Sequence, residues 1–225
     1  MQIVASSSPS ILTRSTASGA ANRSLVPAVL ALQGSVEPHV RALENLGYAQ
    51  PLLVRRVAEL GRATHLVIPG GESTALEKLM KIYGLWEPIR ARALEGTLAL
   101  FGTCAGAILM GRAAAERPER LGVLAVDVDR NAYGSQVDSF VARVTLAPPL
   151  GELDAFFIRA PAFRNVGREV EVLGTHDGNV ILVRQQRLLA ATFHPELLTP
   201  ATRTGDVRRA LVCAASRVHQ YFLEL

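Results

Sequence analysis

The sequence predicts a three-layer α/β fold, a mostly parallel twisted sheet with helices on both faces. Three observations point there. Short apolar runs of strand length alternate with stretches that repeat apolar residues at helical spacing. Two of the strand-to-helix junctions are built from small residues, Pro69-Gly70-Gly71 and Gly102-Thr103-Cys104-Ala105-Gly106. Of the 225 residues 49% are hydrophobic, and the mean hydropathy is +0.22, enough apolar mass for one sizeable core in one domain. Sheets of this kind carry their sites at the C-terminal ends of the strands.

Residues 1–26 read differently from the rest. They are rich in Ser, Ala and Thr, carry Arg14 and Arg23, and precede the first acidic residue, Glu37. Such a segment has too little apolar mass to fold, so we expect an extension over residues 1–26 and a folded domain over 27–225. A disordered tail, an organellar transit peptide and an early start codon all fit that composition. No long apolar h-region and no apolar span of ~20 residues is present, which disfavours secretion and a membrane helix. A cytoplasmic protein with a dispensable tail is the expectation.

A strand is expected over Ala28 to Leu32, then a helix over Pro38 to Leu46 with Val36, Val40 and Leu43 inward and Gly47 as its stop. Leu52 to Val54 and Leu66 to Ile68 read as strands. Behind Pro69-Gly70-Gly71 a helix opens, with Thr74-Ala75-Leu76-Glu77 fitting a capping box and Leu76, Leu79, Met80 and Tyr83 at i, i+3, i+4 and i+7. Pro88 to Leu94 is helical and Gly96 ends it. Leu98 to Phe101 is a buried strand, and Ala107 to Met110 begins a buried helix. After Leu121 the pattern is mostly strand: Val123 to Val128, Phe140 to Leu146, Phe156 to Ile158, Val170 to Leu173, Val180 to Val183 and Leu188 to Phe193. Asp177-Gly178 reads as a type I′ hairpin turn. A helix over roughly Asp206 to Phe222 closes the chain.

The net charge of +4 and pI near 9.5 raise the question of nucleic acid. The arginines, however, are scattered singly or in pairs, with no basic run interleaved with aromatics, so that role is disfavoured. Two cysteines, Cys104 and Cys213, are too few for a disulfide framework or a zinc site. No metal and no cofactor is expected. Cys213, among Val212, Ala214 and Ala215, reads as packing.

Cys104 stands at the turn between a buried strand and a helix start, where the helix N-terminus favours a thiolate, the nucleophilic form. Gly102 and Gly106 fit a turn too tight for side chains, as in strand-turn-helix nucleophile sites. The competing reading is a buried structural cysteine. A nucleophile needs a base, and the base needs an orienting group. Thr192-Phe193-His194-Pro195-Glu196-Leu197, at the end of another strand run, supplies a histidine and a carboxylate joined by a stiff proline. The other histidines, His39, His65, His176 and His219, read as ordinary core or surface residues. Gly70 and Gly71 leave backbone N–H groups free to approach a ligand, and Gly71 with Ala105 can form an oxyanion site. A plain strand-to-helix loop is the competing reading there.

Together these segments resemble the class I glutamine amidotransferase domains, which have a flavodoxin-like fold, and more narrowly the glutaminase subunits of pyridoxal 5′-phosphate synthase. The narrower resemblance rests on Leu30-Ala31-Leu32-Gln33-Gly34, Pro69 to Thr74, Gly102 to Gly106, Arg130-Asn131-Ala132-Tyr133-Gly134, Gln136-Val137-Asp138-Ser139-Phe140, Phe157-Ile158-Arg159-Ala160-Pro161 and His194-Pro195-Glu196-Leu197. These runs stand in the family's order and cover the chain from about Ala28 to its end.

The resemblance implies that Cys104 is the nucleophile, with His194 and Glu196 completing a triad. It implies that Gly71, Glu72 and Ser73 form a substrate loop and that Arg130, Ile158 and Arg159 make the remaining glutamine contacts. Arg130 suits the α-carboxylate and Glu72 the α-ammonium; for Arg159 a surface ion pair is equally open. The implied activity is hydrolysis of L-glutamine to glutamate and ammonia, handed directly to a separate synthase subunit in a hetero-oligomer that docks and orders the oxyanion loop around Gly70 and Gly71. Another amidotransferase glutaminase, a cysteine peptidase-like hydrolase and a non-catalytic binding subunit are the rival readings. Ser135, Pro38 and Asp129 depart from the family's common residues near the pocket and docking face, not at the triad.

Overall fold

The computed structural model describes residues 25–112, 120–130, 139–197 and 215–225. Most of the expected extension, the run from Asn131 to Asp138 with Ser135, Cys213 and the first part of the expected closing helix lie outside the described residues.

Apolar residues at the strand positions of the first hundred residues make four parallel strands: β1 (Pro27–Leu30), β2 (Leu52–Val54), β3 (His65–Ile68) and β4 (Ala99–Thr103). Between and after them run α1 (Val36–Asn45), α2 (Val57–Leu60), α3 (Ser73–Ile82), α4 (Trp86–Leu94) and α5 (Ala105–Met110). The second half supplies β5 (Asp127–Asp129), β6 (Phe140–Leu146), β7 (Gly151–Phe157), β8 (Ala162–Arg164), β9 (Glu171–His176), β10 (Asn179–Gln185) and β11 (Leu188–Ala191). A final helix, α6, spans Ala215–Leu223.

The strands form one sheet in the order β2-β1-β3-β4-β11-β10-β9-β6-β7, with β8 joining β10 to β5. Its site-bearing part, β2-β1-β3-β4-β11, is parallel. From β10 outward the pairing is antiparallel, because hairpins replace βα crossovers in this half. The β9–β10 turn has Asp177 and Gly178 both at positive φ, 46° and 73°, as a type I′ turn requires.

Strand alternation divides the apolar residues between two cores. Ala28, Leu30, Leu66, Ile68 and Leu100 face α3, α4 and α5, whereas Val29, Val67, Ala99, Phe101 and Leu189 face α1 and α6. Helices therefore cover both faces of the parallel part, since each strand there is apolar on both sides. Among the described residues no helix is long and apolar enough to cross a membrane.

Several expected elements differ. Of Val123 to Val128 only the end is strand. Leu121 N–H bonds Leu109 O at 2.7 Å and Leu124 N–H bonds Met110 O at 2.9 Å, so the segment's backbone is spent on the end of α5 while Val123, Leu124 and Val126 are buried in the core. Strand β7 begins at Gly151, ahead of the expected Phe156, and β8 and α2 carry no strong periodic signal. The expected capping box at Thr74 is absent: Glu72 caps α3, its carboxylate accepting from Thr74 N–H at 3.0 Å and Ala75 N–H at 2.6 Å. Tyr83 falls outside the buried stripe, at 50% exposure.

His65, on β3, packs edge-on against Phe222 with Nδ1 on Thr64 Oγ1 at 3.0 Å and a buried Nε2 that has no partner. Burial first, then the Arg187 charge, lowers it from 6.5 to about 4. A histidine depressed in the fold stays neutral while the unfolded chain takes up a proton, so its contribution erodes as pH falls from 6.5 toward about 4. His65→Leu should flatten the acid side of the stability curve by up to about 1.4 kcal/mol per pH unit, because Thr64 keeps its bonds to Val26. Denaturation midpoints across that range check it; an unchanged slope contradicts it.

Candidate active site

Register explains why residues far apart in sequence converge. Ala191 on β11 lies opposite Thr103 on β4, and Ile68 on β3 lies opposite Gly102. The chain segments leaving these three strands, Pro69 to Glu72, Cys104 and Thr192 to Glu196, therefore emerge side by side at one edge.

Cys104 sits at φ 46° and ψ −100°, a backbone region that costs a non-glycine residue of order 1–3 kcal/mol. Neighbouring contacts hold it there: its N–H bonds Ala191 O at 2.9 Å and its carbonyl accepts Ile108 N–H at 3.1 Å. A Cβ at Gly106 would lie 2.0 Å from Ile68 O, and one at Gly102 would lie 2.6 Å from the Gly106 carbonyl carbon. Both glycines are thus steric necessities of the turn, as expected from the sequence.

His194 follows β11, anchored by its N–H on Phe156 O at 2.8 Å. Its Nδ1 meets Glu196 Oε1 at 2.7 Å, both side chains buried. Burial would push this imidazole down, but the hydrogen bond and charge of Cys104 and of Glu196 outweigh it and raise it to about 10. At neutral pH the ring is an imidazolium between a sulfur and a carboxylate. Glu196 is opposed by burial, which neighbouring His39 and His194 more than offset, so it lies below the ordinary carboxylate range. His39 is neutral at that pH, since burial lowers it to about 3 against the pull of Glu196. The charge that holds Glu196 ionised is therefore that of His194, and the His39 contribution is dipolar.

A cavity of about 330 Å³ opens over the sulfur, lined by Ser35, Gly71, Glu72, Ser73, Cys104, Ile108, Arg130, Ile158, Arg159 and His194. All six expected substrate-contact residues line it, together with Cys104 and His194. Arg130 hydrogen-bonds Ser73 Oγ and lies 3.7 Å from Glu72 Oε1. The backbone N–H groups of Thr74 and Ala75, together with Arg130, hold Glu72 below the usual carboxylate range against some desolvation. Ile158 offers its carbonyl oxygen to Cys104 Sγ at 3.9 Å, and Arg159 carries φ 43°, strained backbone at the cavity wall.

The glycine loop differs from expectation in one respect. Gly70 N–H is not free but donates to Thr103 Oγ1 at 3.0 Å, and its carbonyl accepts Ser35 N–H at 2.9 Å. Gly71 lines the cavity, and Ala105 opens α5 directly after Cys104. A Cβ at Gly70 would lie 2.4 Å from His194 Cε1, so this loop is packed against the imidazole itself.

Sequence reading missed Ser35, Ile108, Thr103 and His39. His39 left a signal: it falls between Val36 and Leu43 on the inward stripe of α1, where a polar residue needs partners. Its Nδ1 meets His219 Nε2 at 2.8 Å, and its Nε2 meets Thr103 Oγ1 at 3.1 Å.

Comparison with known proteins places this geometry in context. A model described as the SNO glutamine amidotransferase family matches residues 29–209. The pyridoxal 5′-phosphate synthase subunit PdxT of Thermus thermophilus is 48% identical over 202 residues, covering 89% of this chain and 97% of that protein. The subunit of the same name from Acidothermus cellulolyticus is 48% identical over 199 residues, 84% of this chain and 95% of its own. Among solved structures, a glutamine amidotransferase superposes with TM-score 0.75 at 44% identity, covering 88% of this chain and 97% of that one. A Thermotoga maritima glutamine amidotransferase, at 16% identity and TM-score 0.55, with 89% and 99% covered, shares the fold.

Because the obstacle at Gly106 is a backbone oxygen and not a mobile side chain, Gly106→Ala should cost about 1–3 kcal/mol and slow alkylation of Cys104 by iodoacetamide. Denaturation midpoints and labelling rates check it. A variant as stable and as reactive as the parent contradicts the tight β3–α5 contact.

Proposed function

This chain belongs to the SNO glutamine amidotransferase family, and from that membership we propose that it is the glutaminase subunit of a pyridoxal 5′-phosphate synthase. It hydrolyses L-glutamine to L-glutamate and ammonia and delivers the ammonia to a synthase subunit in a hetero-oligomer. The observation that carries the reading is one cavity holding the Cys104 sulfur and the His194 imidazole, with Glu196 on the far ring nitrogen at 2.7 Å.

In this reading the substrate's charged end is met by Arg130 and Arg159 for the α-carboxylate and by Glu72 for the α-ammonium. The side-chain amide then lies over Cys104. The sulfur attacks the amide carbon, and the developing oxyanion is met by the N–H groups of Gly71 and Ala105. The imidazolium of His194 donates its proton to the departing nitrogen; the C–N bond breaks, ammonia leaves and a glutamyl thioester remains. Neutral His194 next takes a proton from water, whose oxygen attacks the thioester carbon. Collapse releases glutamate and returns the thiolate and imidazolium.

Ammonia freed into neutral water becomes ammonium, which is no nucleophile, so direct transfer gives the product its use. The clamped Gly70 peptide supports partner-dependent activation: its N–H and carbonyl are both engaged, and a docking partner has to act on this segment to change what Gly71 presents.

Glutamate and ammonia release should be assayed with the full chain alone and with its synthase subunit. The mixture should be the faster, Cys104→Ala should lower it by a factor on the order of 10⁴ or more, and Glu196→Gln should fall between that variant and the parent. Ammonia release unchanged by Cys104→Ala sinks the reading; equal rates with and without the synthase sink the activation part alone.

A further inference from the structure

Among the described residues, a buried polar cluster lies outside the reacting groups and is not used by the hydrolysis just proposed. His39 on α1 and His219 on α6 are both fully buried, on the sheet face opposite α3, α4 and α5. Thr103, also fully buried, ends β4. His39 is the centre: Nδ1 lies 2.8 Å from His219 Nε2, and Nε2 lies 3.1 Å from Thr103 Oγ1 and 3.5 Å from Glu196 Oε1. Thr103 Oγ1 in turn accepts Gly70 N–H at 3.0 Å. Among the described residues no group of three His, Cys, Asp or Glu side chains is arranged to hold a metal, so hydrogen bonding has to account for the cluster.

The proton positions follow from what each partner can do. His39 is neutral and carries one N–H. A carboxylate accepts only, and a bare Nε2 lone pair aimed at Glu196 Oε1 in a dry site would set two acceptors against each other. Nε2 therefore carries the hydrogen, directed between Thr103 Oγ1 and Glu196 Oε1. Nδ1 is left bare and must accept, and His219 Nε2–H is the donor. The titratable groups acting on His39 are Glu196, His219 and His194, from the β11 edge and from α6.

We propose that His39 is a positioning residue for the glutaminase reaction: its Nε2–H, fixed in that tautomer by His219, orients Glu196 behind His194 and, through Thr103, the Gly70 peptide. This rests on the triad reading above. Glu196 shows why the contact matters. Its Oε2 is buried without a partner, so the carboxylate has few donors besides His194. Without the His39 dipole it takes up a proton more readily, and its hold on the imidazolium slackens.

The test uses the full chain in complex with its synthase subunit, following kcat and KM for glutamine against pH. His39→Leu should lower kcat on the order of tenfold or more while KM moves by less than about twofold, and the alkaline limb of kcat/KM should shift to lower pH. His39→Gln, whose amide N–H can reach toward Thr103 and Glu196, should recover most of both. His219→Leu should reproduce part of the shift, and His219→Gln, which retains a donor for Nδ1, should not; this pair decides the matter if His39→Leu does not fold. A parental pH profile in His39→Leu or His219→Leu, or no recovery in either Gln variant, overturns the proposal. The rate of Cys104 alkylation by iodoacetamide against pH, located by mass spectrometry, reads the same coupling without glutamine. If the parent complex turns over no glutamine the glutaminase reading fails, whereas an active parent with unresponsive His39 and His219 variants removes the positioning role alone.

Discussion

Thr103 stands opposite Ala191, Gly102 opposite Ile68, and these pairings between parallel strands carry the rest of the site. Parallel neighbours end at the same edge, so whatever follows each strand is delivered to one place without a long loop. Here that delivery is tight: Cys104 is the first residue after its strand and His194 the third after its own. A one-residue slip of β11 on β4 would turn every side chain to the other face and separate the sulfur from the imidazole. The buried apolar residues on both faces hold the register, which is why the two cores bear directly on the chemistry.

Within that frame Cys104, the proposed nucleophile, is held under strain. Positive φ at Cys104 is unfavourable by itself, and the hydrogen bonds from Cys104 N–H to Ala191 O and from Ile108 N–H to Cys104 O oppose its relaxation. Close approach of α5 to β3 and β4 completes the constraint, because neither Gly102 nor Gly106 leaves room for a methyl group. Strain of this kind positions the sulfur before any substrate arrives, so less ordering is left for the reacting complex.

Much of this was legible from particular residues. Leu98 to Met110 is legible as strand, turn and helix because a short buried run, a small-residue turn and a second buried run follow one another, and the apolar stretch Phe140–Leu146 matches its strand end to end. His194 and Glu196 were legible as a pair because Pro195 ties them at a strand end. The failures have physical causes. Val123 to Val126 is apolar for burial, while its hydrogen bonds go to the end of α5. Gly151, Glu152 and Asp154 mask the start of β7 because one side of that strand is wet. Glu72 in the sequence suits a substrate ammonium, but a carboxylate ahead of a helix is also a natural cap, and here it caps α3. His39 is not legible as a site residue, because a single histidine says nothing of its partners until α1, β4 and α6 are assembled around it.

In the proposed hydrolysis the electrostatics of the pair at the sheet edge change as the sulfur is acylated. His194 is raised to about 10 in part by the hydrogen bond and charge of Cys104. Once the sulfur is acylated that charge is gone, and burial, the largest opposing effect, acts against Glu196 alone. The imidazole becomes easier to deprotonate at the stage where a base for water is needed. It is most firmly protonated in the free site, before the sulfur bonds carbon, so the acid is in place when the proposed reaction begins. In the proposed hydrolysis one histidine thus serves both steps, because its partner's charge is consumed and restored by the reaction itself while Glu196 stays on its far ring nitrogen at 2.7 Å.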